Sequence, residues 1–398
     1  MIQEKYIELL LKRCLKVEKV NALFINYNKI NQDFVDRVVE YAKKLGVEDI
    51  YLSMDDSEYI HDILKDIKLE EVENHEAFNC QIWDEYAKKN AAFLLLDTEI
   101  PNLMDDIDSD ILAKMAYTKS ITKPVYKEKQ KNSEIPWCIA AVPNIYWAKD
   151  IFPDSGNPLD EFWNILAKMC NLDKEDPIKE WDRLLKERFK TQEKLNNLKI
   201  KKLHYTNSLG TDLVVELSDD ALWQSSSSGE WIVNMPSYEI FTTPDYRKTE
   251  GIVYSSRPLI YNGKVIDEFS LTFKEGKVVE FDAKEDKDIL EEIIKGDKLS
   301  AYLGEAALVN YNSPISNTKK VFKSTLFDEN ASCHLALGSG FIECIEGALG
   351  KSQEEILELG INNSKNHVDF MIGTEDLIIE AETKNGTITI MEKGDLVI

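Results

Sequence analysis

The sequence predicts an α/β N-terminal domain, with a mainly parallel sheet and flanking helices, followed by a β-rich α+β C-terminal domain. Three observations carry that expectation. Through the first half, short apolar segments alternate with amphipathic segments of helical period, the texture of strand–helix repeats. Beyond about residue 195 short strands separated by turn residues take over. The 398 residues, 43% of them apolar, are also too many for one core, because single cores stop growing at roughly 250–300 residues. The expected domains are residues 1–195, a scaffold, and 196–398, which carries the chemistry.

Ala22 to Tyr27, apolar apart from Asn26, is of strand length and reads as a strand. Residues 32–45 then place Phe34, Val35, Val38, Val39 and Ala42 at helical spacing, and Gly46 stops the helix. The alternation continues through a strand at 49–54, a helix at 57–67, an apolar strand at 92–96, a helix at 108–119 and a strand at 137–142 that ends at Pro143. Buried strands joined by helices imply parallel pairing. No GxGxxG follows the first strand, so dinucleotide binding has no support. Residues 158–170 and 177–197 read as helices, the second a connector dense in Lys, Arg and Glu. In the second half, strands are expected at 201–206, 212–217, 251–255, 269–273, 277–281, 377–381, 387–391 and 396–398, with helices at 287–295 and 352–360. Lys384-Asn385-Gly386 is a hairpin turn, because Asn-Gly accepts the positive φ values of a tight reversal.

Forty-eight basic against seventy-two acidic residues give a formal net charge of −24. A field of that sign repels phosphate backbones and anionic lipid heads, which argues against nucleic acid and membrane surfaces as partners and leaves metal ions and amine-bearing substrates open. The first twenty residues interleave charges with apolar side chains and lack the continuous apolar core of a secretory signal. The longest apolar runs, such as Ala91 to Leu96, fall far short of the roughly 18–20 residues that a bilayer span needs. A cytoplasmic protein is expected. Its six cysteines include no CxxC pair, so free and mostly buried thiols are expected.

Two apparent motifs fail. His75-Glu76-Ala77-Phe78-Asn79 begins like HExxH but lacks the second histidine, and Gly350-Lys351-Ser352 ends like a phosphate-binding loop but has Ile345 where the first glycine belongs. His61 and His75 lie on or beside charged helical stretches and read as surface residues.

Four other segments hold metal-ligating residue types in apolar surroundings. His367 to Met371 alternates as a strand, so His367 and Asp369 share one face while Val368 and Phe370 take the other. His334 opens an apolar segment after the polar Asp328 to Ser332, and an imidazole buried there needs a partner. Glu305 enters what otherwise reads as a core strand, and a buried carboxylate without a partner is usually rescued by a cation. Glu239 lies in a loop stiffened by Pro236 and Pro244. Taken singly, each reads as structural; an HxD pair is also how a histidine is satisfied by its neighbour. Together, two Glu, two His and one Asp are a donor set suited to Zn²⁺, Co²⁺ or Mn²⁺. Five donors suit either two metals sharing a carboxylate or one metal with an enlarged shell.

The blocks NMPSYEIFTTPD (234–245), LGEAALV (303–309), DENASCHLALG (328–338) and NHVDFMIG (366–373) resemble the M29 family of metallo-aminopeptidases, and the likeness covers the whole chain in length and two-part layout. The resemblance implies a hydrolase that releases N-terminal amino acids from peptides with a free N-terminus. It also implies two divalent metal ions (Zn, Co or Mn) and a homodimer. The metal ligands it implies are Glu239, Glu305, His334, His367 and Asp369, with Glu305 as the bridge and as a catalytic residue. One position departs. The family has a tyrosine seven residues after the histidine of the third block, thought to help stabilise the transition state; here Phe341 stands in its place, and 338–352 contains no tyrosine. Loss of one oxyanion donor costs about 10²–10³ in kcat. The alternatives are therefore a metal- or peptide-binding homologue with weak or lost turnover, and a metal-free protein whose five residues pair with one another. Arg247 and Lys248 read as salt-bridged surface residues rather than contacts to a substrate carboxylate.

Overall fold

The computed structural model describes residues 2–225, 230–261 and 264–398. They form two compact units, one of residues 2–182 with 230–237 and one of residues 183–225 with 238–398. The division falls inside the Pro177–Leu198 helix.

In the first unit, strands Asp49–Asp55, Ala22–Asn28, Ala92–Asp97, Trp137–Ala141 and Asn234–Met235 pair in that order, all parallel. Parallel neighbours need long crossovers. One is the Gln32–Lys44 helix, which buries Phe34, Val35, Val38 and Ala42 as its spacing predicts; Gly46 follows it with a φ of 89°. The Val72–Lys88 helix, which the sequence pattern did not reveal, places Trp83 against Phe24, Phe93 and Tyr126. The opening segment is helical through Cys14, and Tyr6, Leu9, Leu10 and Leu11 are fully buried in spite of the charges between them. The Tyr6 hydroxyl donates to the Ala141 carbonyl at 3.1 Å, tying that segment to the end of a strand. His61 is not a free surface group: its Nε2 lies 2.7 Å from Asp106 Oδ1, and its side chain is 14% exposed. The side chain of His75 lies outside the described residues. All six cysteines are free and buried. Among the described residues, no helix is long and apolar enough to cross a membrane.

The second unit holds two large antiparallel sheets. In the eight-stranded sheet the order is Lys277–Asp282, Ser270–Lys274, Pro244–Tyr254, Asp212–Leu217, Lys202–Thr206, Ile378–Thr383, Gly386–Glu392 and Asp395–Leu396. In the five-stranded sheet it is His367–Met371, His334–Gly338, Leu303–Leu308, Ile240–Thr242 and Gln224–Ser225. One apolar core takes Leu213, Val215, Leu271, Phe273 and Ile379 from the larger sheet, and Ala306, Leu308, Leu335, Leu337, Val368 and Phe370 from the smaller. Successive strand residues point to opposite faces, so Glu305, His334, Ala336, His367 and Asp369 face away from that core. The hairpin at 384–385 forms where expected, but the positive φ belongs to Gly386 alone, at 112°, just after the turn. Ser352, set aside as a false phosphate-loop residue, caps the Gln353–Glu358 helix reciprocally with Glu355.

The pairing of Leu303–Leu308 with His334–Gly338 shifts register between Leu303 and Glu305. Gly304 stands at that irregularity because a Cβ there would lie 2.2 Å from the Ser339 carbonyl oxygen and 2.3 Å from that of Gly338. Gly304→Ala is therefore expected to lower unfolding stability by about 1–3 kcal/mol through overpacking. Urea unfolding measures this, and a wild-type midpoint would contradict the close approach.

Candidate metal centre

Strand register builds the cluster. Ala336 on the middle strand is opposite Glu305 on one side and Asp369 on the other, and Gly338 is opposite His367. Residues directly opposite in an antiparallel pair share a face. The middle strand thus offers only Ala336 and Gly338 at these rows, leaving space above it for the long side chains of its neighbours. Glu239 directly precedes the Ile240–Thr242 strand, whose Ile240 is opposite Leu308. Its loop is anchored by the Tyr238 amide, which donates to Oδ1 of the fully buried Asn330 at 2.6 Å.

All five residues expected at the site come together. His334 Nε2 lies 3.3 Å from Glu239 Oε2 and 3.8 Å from Glu305 Oε1, and His367 Nε2 lies 3.1 Å from Glu305 Oε2 and 3.2 Å from Asp369 Oδ1. Glu305 therefore turns one carboxylate oxygen to each imidazole. The groups Glu239–Glu305–His334 and Glu305–His367–Asp369 each bring three donor atoms within 4.8 Å of one another. Glu239, Glu305 and His334 are nearly inaccessible, whereas 28% of the His367 side chain remains exposed.

The two histidines are oriented from behind. His367 Nδ1–H donates to the Ser339 carbonyl at 2.7 Å, and His334 Nδ1–H to the Ser332 carbonyl at 3.3 Å. A carbonyl can only accept, so Nδ1 carries the proton and Nε2 of a neutral ring points a lone pair at the carboxylates. Lone pair against lone pair is repulsive unless a cation, either a proton or a metal ion, lies between them. Asp369 Oδ1 is buried with no hydrogen-bond partner. An orphaned acceptor, two oriented imidazoles and several carboxylates without thiolates are a donor set that fits a divalent cation of the zinc, cobalt or manganese kind.

The electrostatics carry the same message. Burial opposes charge on His334, but contacts with Glu239 and Glu305 outweigh it and hold its pKa well above the ordinary imidazole value. His367 is likewise raised: burial opposes the charge, and Asp369 and Glu305 prevail. Burial pushes the Glu239 carboxyl up. Burial opposes ionisation of Asp369 as well, yet the charge of His367 holds its pKa at about 2.

Two neighbours escaped the sequence reading. The Glu329 carboxyl is pushed well above its ordinary range by burial and by the charges of Glu239 and Asp369. Its place in DENASCH, five residues before His334, was the available signal. Arg188, from the Pro177–Leu198 helix, stacks 5.9 Å above the Tyr238 ring, and burial lowers its pKa to about 10 while Tyr238 and Glu239 favour its charge. Lys, Arg and Glu around it make its helix look solvated throughout. Arg247 and Lys248 are salt-bridged, Arg247 to the buried Asp245 at 2.7 Å and Lys248 to Glu216 at 2.7 Å.

The family model described as thermophilic metalloprotease (M29) matches residues 2–396. The chain belongs to the M29 family. It is 33% identical to aminopeptidase AmpS of Bacillus subtilis (strain 168) over 393 residues, 96% of this chain and 94% of that protein. It is also 33% identical to aminopeptidase 2 of Geobacillus stearothermophilus over 394 residues, with the same coverage. Its fold matches wild-type AmpT from Thermus thermophilus with a TM-score of 0.90 at 26% identity, over 100% of this chain and 99% of that one. As an M29 metalloprotease the protein is a hydrolase acting on peptides.

Phe341 of this M29 chain lies beside the cluster, its ring centroid 5.1 Å from that of His367 and 4.9 Å from that of Phe241. Its amide donates to Thr243 Oγ1 at 2.8 Å.

A pH dependence follows. The folded state binds protons on His334 and His367 more tightly than the unfolded chain, where imidazole titrates near about 6.5. In chelator-treated protein the imidazolium–carboxylate contacts are complete below that pH, and their stabilisation is lost as pH rises through the higher folded-state values, at up to about 1.4 kcal/mol per pH unit for each imidazole. Urea midpoints with chelator should therefore fall as pH rises above about 6.5. A divalent cation bound at Nε2 would take the place of that proton, so added Zn²⁺ or Co²⁺ should remove the decline. A flat profile with chelator would show that the imidazoles are not proton-loaded in the fold.

Proposed function

We propose that the protein is an aminopeptidase releasing N-terminal residues from peptides, with two divalent cations (Zn, Co or Mn) held by Glu239, Glu305, His334, His367 and Asp369 and bridged by Glu305. The observation that carries this reading is the position of Glu305, one oxygen towards each histidine. Such cations, when bound, polarise a peptide carbonyl and lower the pKa of water. The chain's own residues do the rest. The Ser332 and Ser339 carbonyls keep both imidazoles aimed. Glu305 holds the two donor groups at a set separation and is placed to steer the proton of an attacking water. Glu329, with its raised proton affinity, is the second carboxyl suited to take that proton and return it to the leaving amine. The excess of carboxylates suits the ammonium of a free N-terminus, and the net charge of −24 favours its approach in a salt-sensitive way. A cytoplasmic homodimer belongs to the same reading; light scattering of the purified protein tests the assembly.

Phe341 favours a second reading, a binding homologue with weak or lost turnover, because a phenyl ring beside His367 cannot donate a hydrogen bond. Aminoacyl p-nitroanilides with added Co²⁺, Zn²⁺ or Mn²⁺ distinguish the two. Turnover should depend on the metal and fall by roughly 10³-fold or more in Glu305→Gln, with loss of bound metal. Complete inactivity of metal-loaded protein would favour the binder. Phe341→Tyr should raise kcat by about 10²–10³ where the missing hydroxyl limits the wild type; an unchanged kcat would mean that another group already supplies the donor.

A further inference from the structure

An open cleft of about 800 Å³ in the second unit is lined by four cationic side chains, Arg257, Lys319, Lys320 and Lys393, and by two carboxylates, Glu375 and Asp395. That balance is opposite in sign to the chain as a whole, at −24. Lysines elsewhere in this acidic protein are commonly paired, such as Lys29 with Asp56 and Lys114 with Glu73. Among the described residues, Arg257, Lys319 and Lys393 have no carboxylate within ion-pair distance. Asp395, the carboxylate within the cleft's loop, is already engaged, accepting from the Asn312 amide at 3.0 Å. Arg257 is held in place, with Nη1 donating to the Lys320 carbonyl at 3.1 Å and Nη2 to Ser316 Oγ at 3.0 Å. These bonds engage two of the five N–H donors of a guanidinium and fix its plane. The nearby buried Asp328 is occupied with the Phe322 and Ser324 amides. Beside Arg257, Ser256 Oγ is buried and has no hydrogen-bond partner, and a buried hydroxyl of that kind normally has one.

A second basic cleft, in the first unit, lacks this character. It has Lys16, Lys19, Lys89 and Lys129 on its walls, but Lys19 faces Glu230 at 3.1 Å, Lys89 faces Asp49 at 2.8 Å and Lys129 faces Glu134 at 4.0 Å.

We propose that the Arg257 cleft is a binding site for a phosphate dianion, either free or carried on a small molecule. An anchored guanidinium, the unpaired ammonium groups of Lys319 and Lys393 and an unused hydroxyl match the charge and the several acceptor oxygens of phosphate better than a single carboxylate. The volume admits a phosphorylated small molecule, within the roughly 300–1,000 Å³ usual for such sites. The inference is independent of the peptidase reading.

The test is calorimetric titration of the metal-loaded protein with inorganic phosphate and with glycerol 3-phosphate, against sodium chloride at equal ionic strength. Saturable binding is expected for the phosphates alone, and tighter binding of the ester would identify a phosphorylated metabolite class as the ligand. Lys319→Gln/Lys393→Gln, which alters two exposed side chains, should weaken binding by roughly tenfold without changing hydrolysis of a p-nitroanilide. Should the double variant bind as tightly as wild type while Glu305→Gln binds less, phosphate is meeting the metal centre and the cleft proposal is overturned. Absence of saturable binding at millimolar phosphate overturns it as well.

Discussion

Positive charge must stand between the carboxylates and imidazole lone pairs that this fold crowds together. Glu239, Glu305, Glu329 and Asp369 surround His334 and His367, and the two carbonyls behind the rings leave Nε2 facing oxygen. Two like charges about 4 Å apart in a protein of effective dielectric about 20 repel by roughly 4 kcal/mol. Such an arrangement persists only because the rest of the unit holds it. The reverse face of the same three strands is locked into the apolar core by Leu335, Leu337, Val368 and Phe370, so the strands cannot separate to relieve the repulsion without exposing that core.

Small residues do as much as charged ones. Ala336 and Gly338 leave the middle strand low, and Gly304 lets the backbone at 338–339 come close enough for the strand carrying Glu305 to shift register. The same turn at Ser339 supplies the carbonyl that orients His367. Asn330 anchors the loop that carries Glu239, while its neighbour Glu329 sits among the charges of the cluster. Packing, backbone geometry and electrostatics converge on the segments that connect these strands.

The likeness to the Thermus thermophilus structure is one of fold at 26% identity. Against that background Phe341 is informative. It occupies a position next to His367 and is tied to Thr243 through its backbone, so the site carries an aromatic ring without a hydroxyl at that point.

Much of this was legible in linear order. The alternation of His367 to Phe370 shows which side chains share a face, through the period-two geometry of an extended chain, and the largely apolar run Ala22 to Tyr27 announces a strand buried on both faces. The Val72–Lys88 helix is not apparent in the sequence because its apolar face is weakly marked in the pattern, and the interleaved charges of the opening segment give no sign that Tyr6, Leu9, Leu10 and Leu11 are fully buried. Arg188 has no local mark that distinguishes a guanidinium that will be buried from one that will meet water, and the only local mark of Glu329 is its place five residues before His334. Local periodicity thus outlined most of the elements, while ligating residue types in apolar segments, together with the family resemblance, nominated the five residues of the cluster. Which strands became neighbours, and which rows aligned above Ala336, was decided in three dimensions, since register is set by contacts between segments tens of residues apart and leaves no local trace.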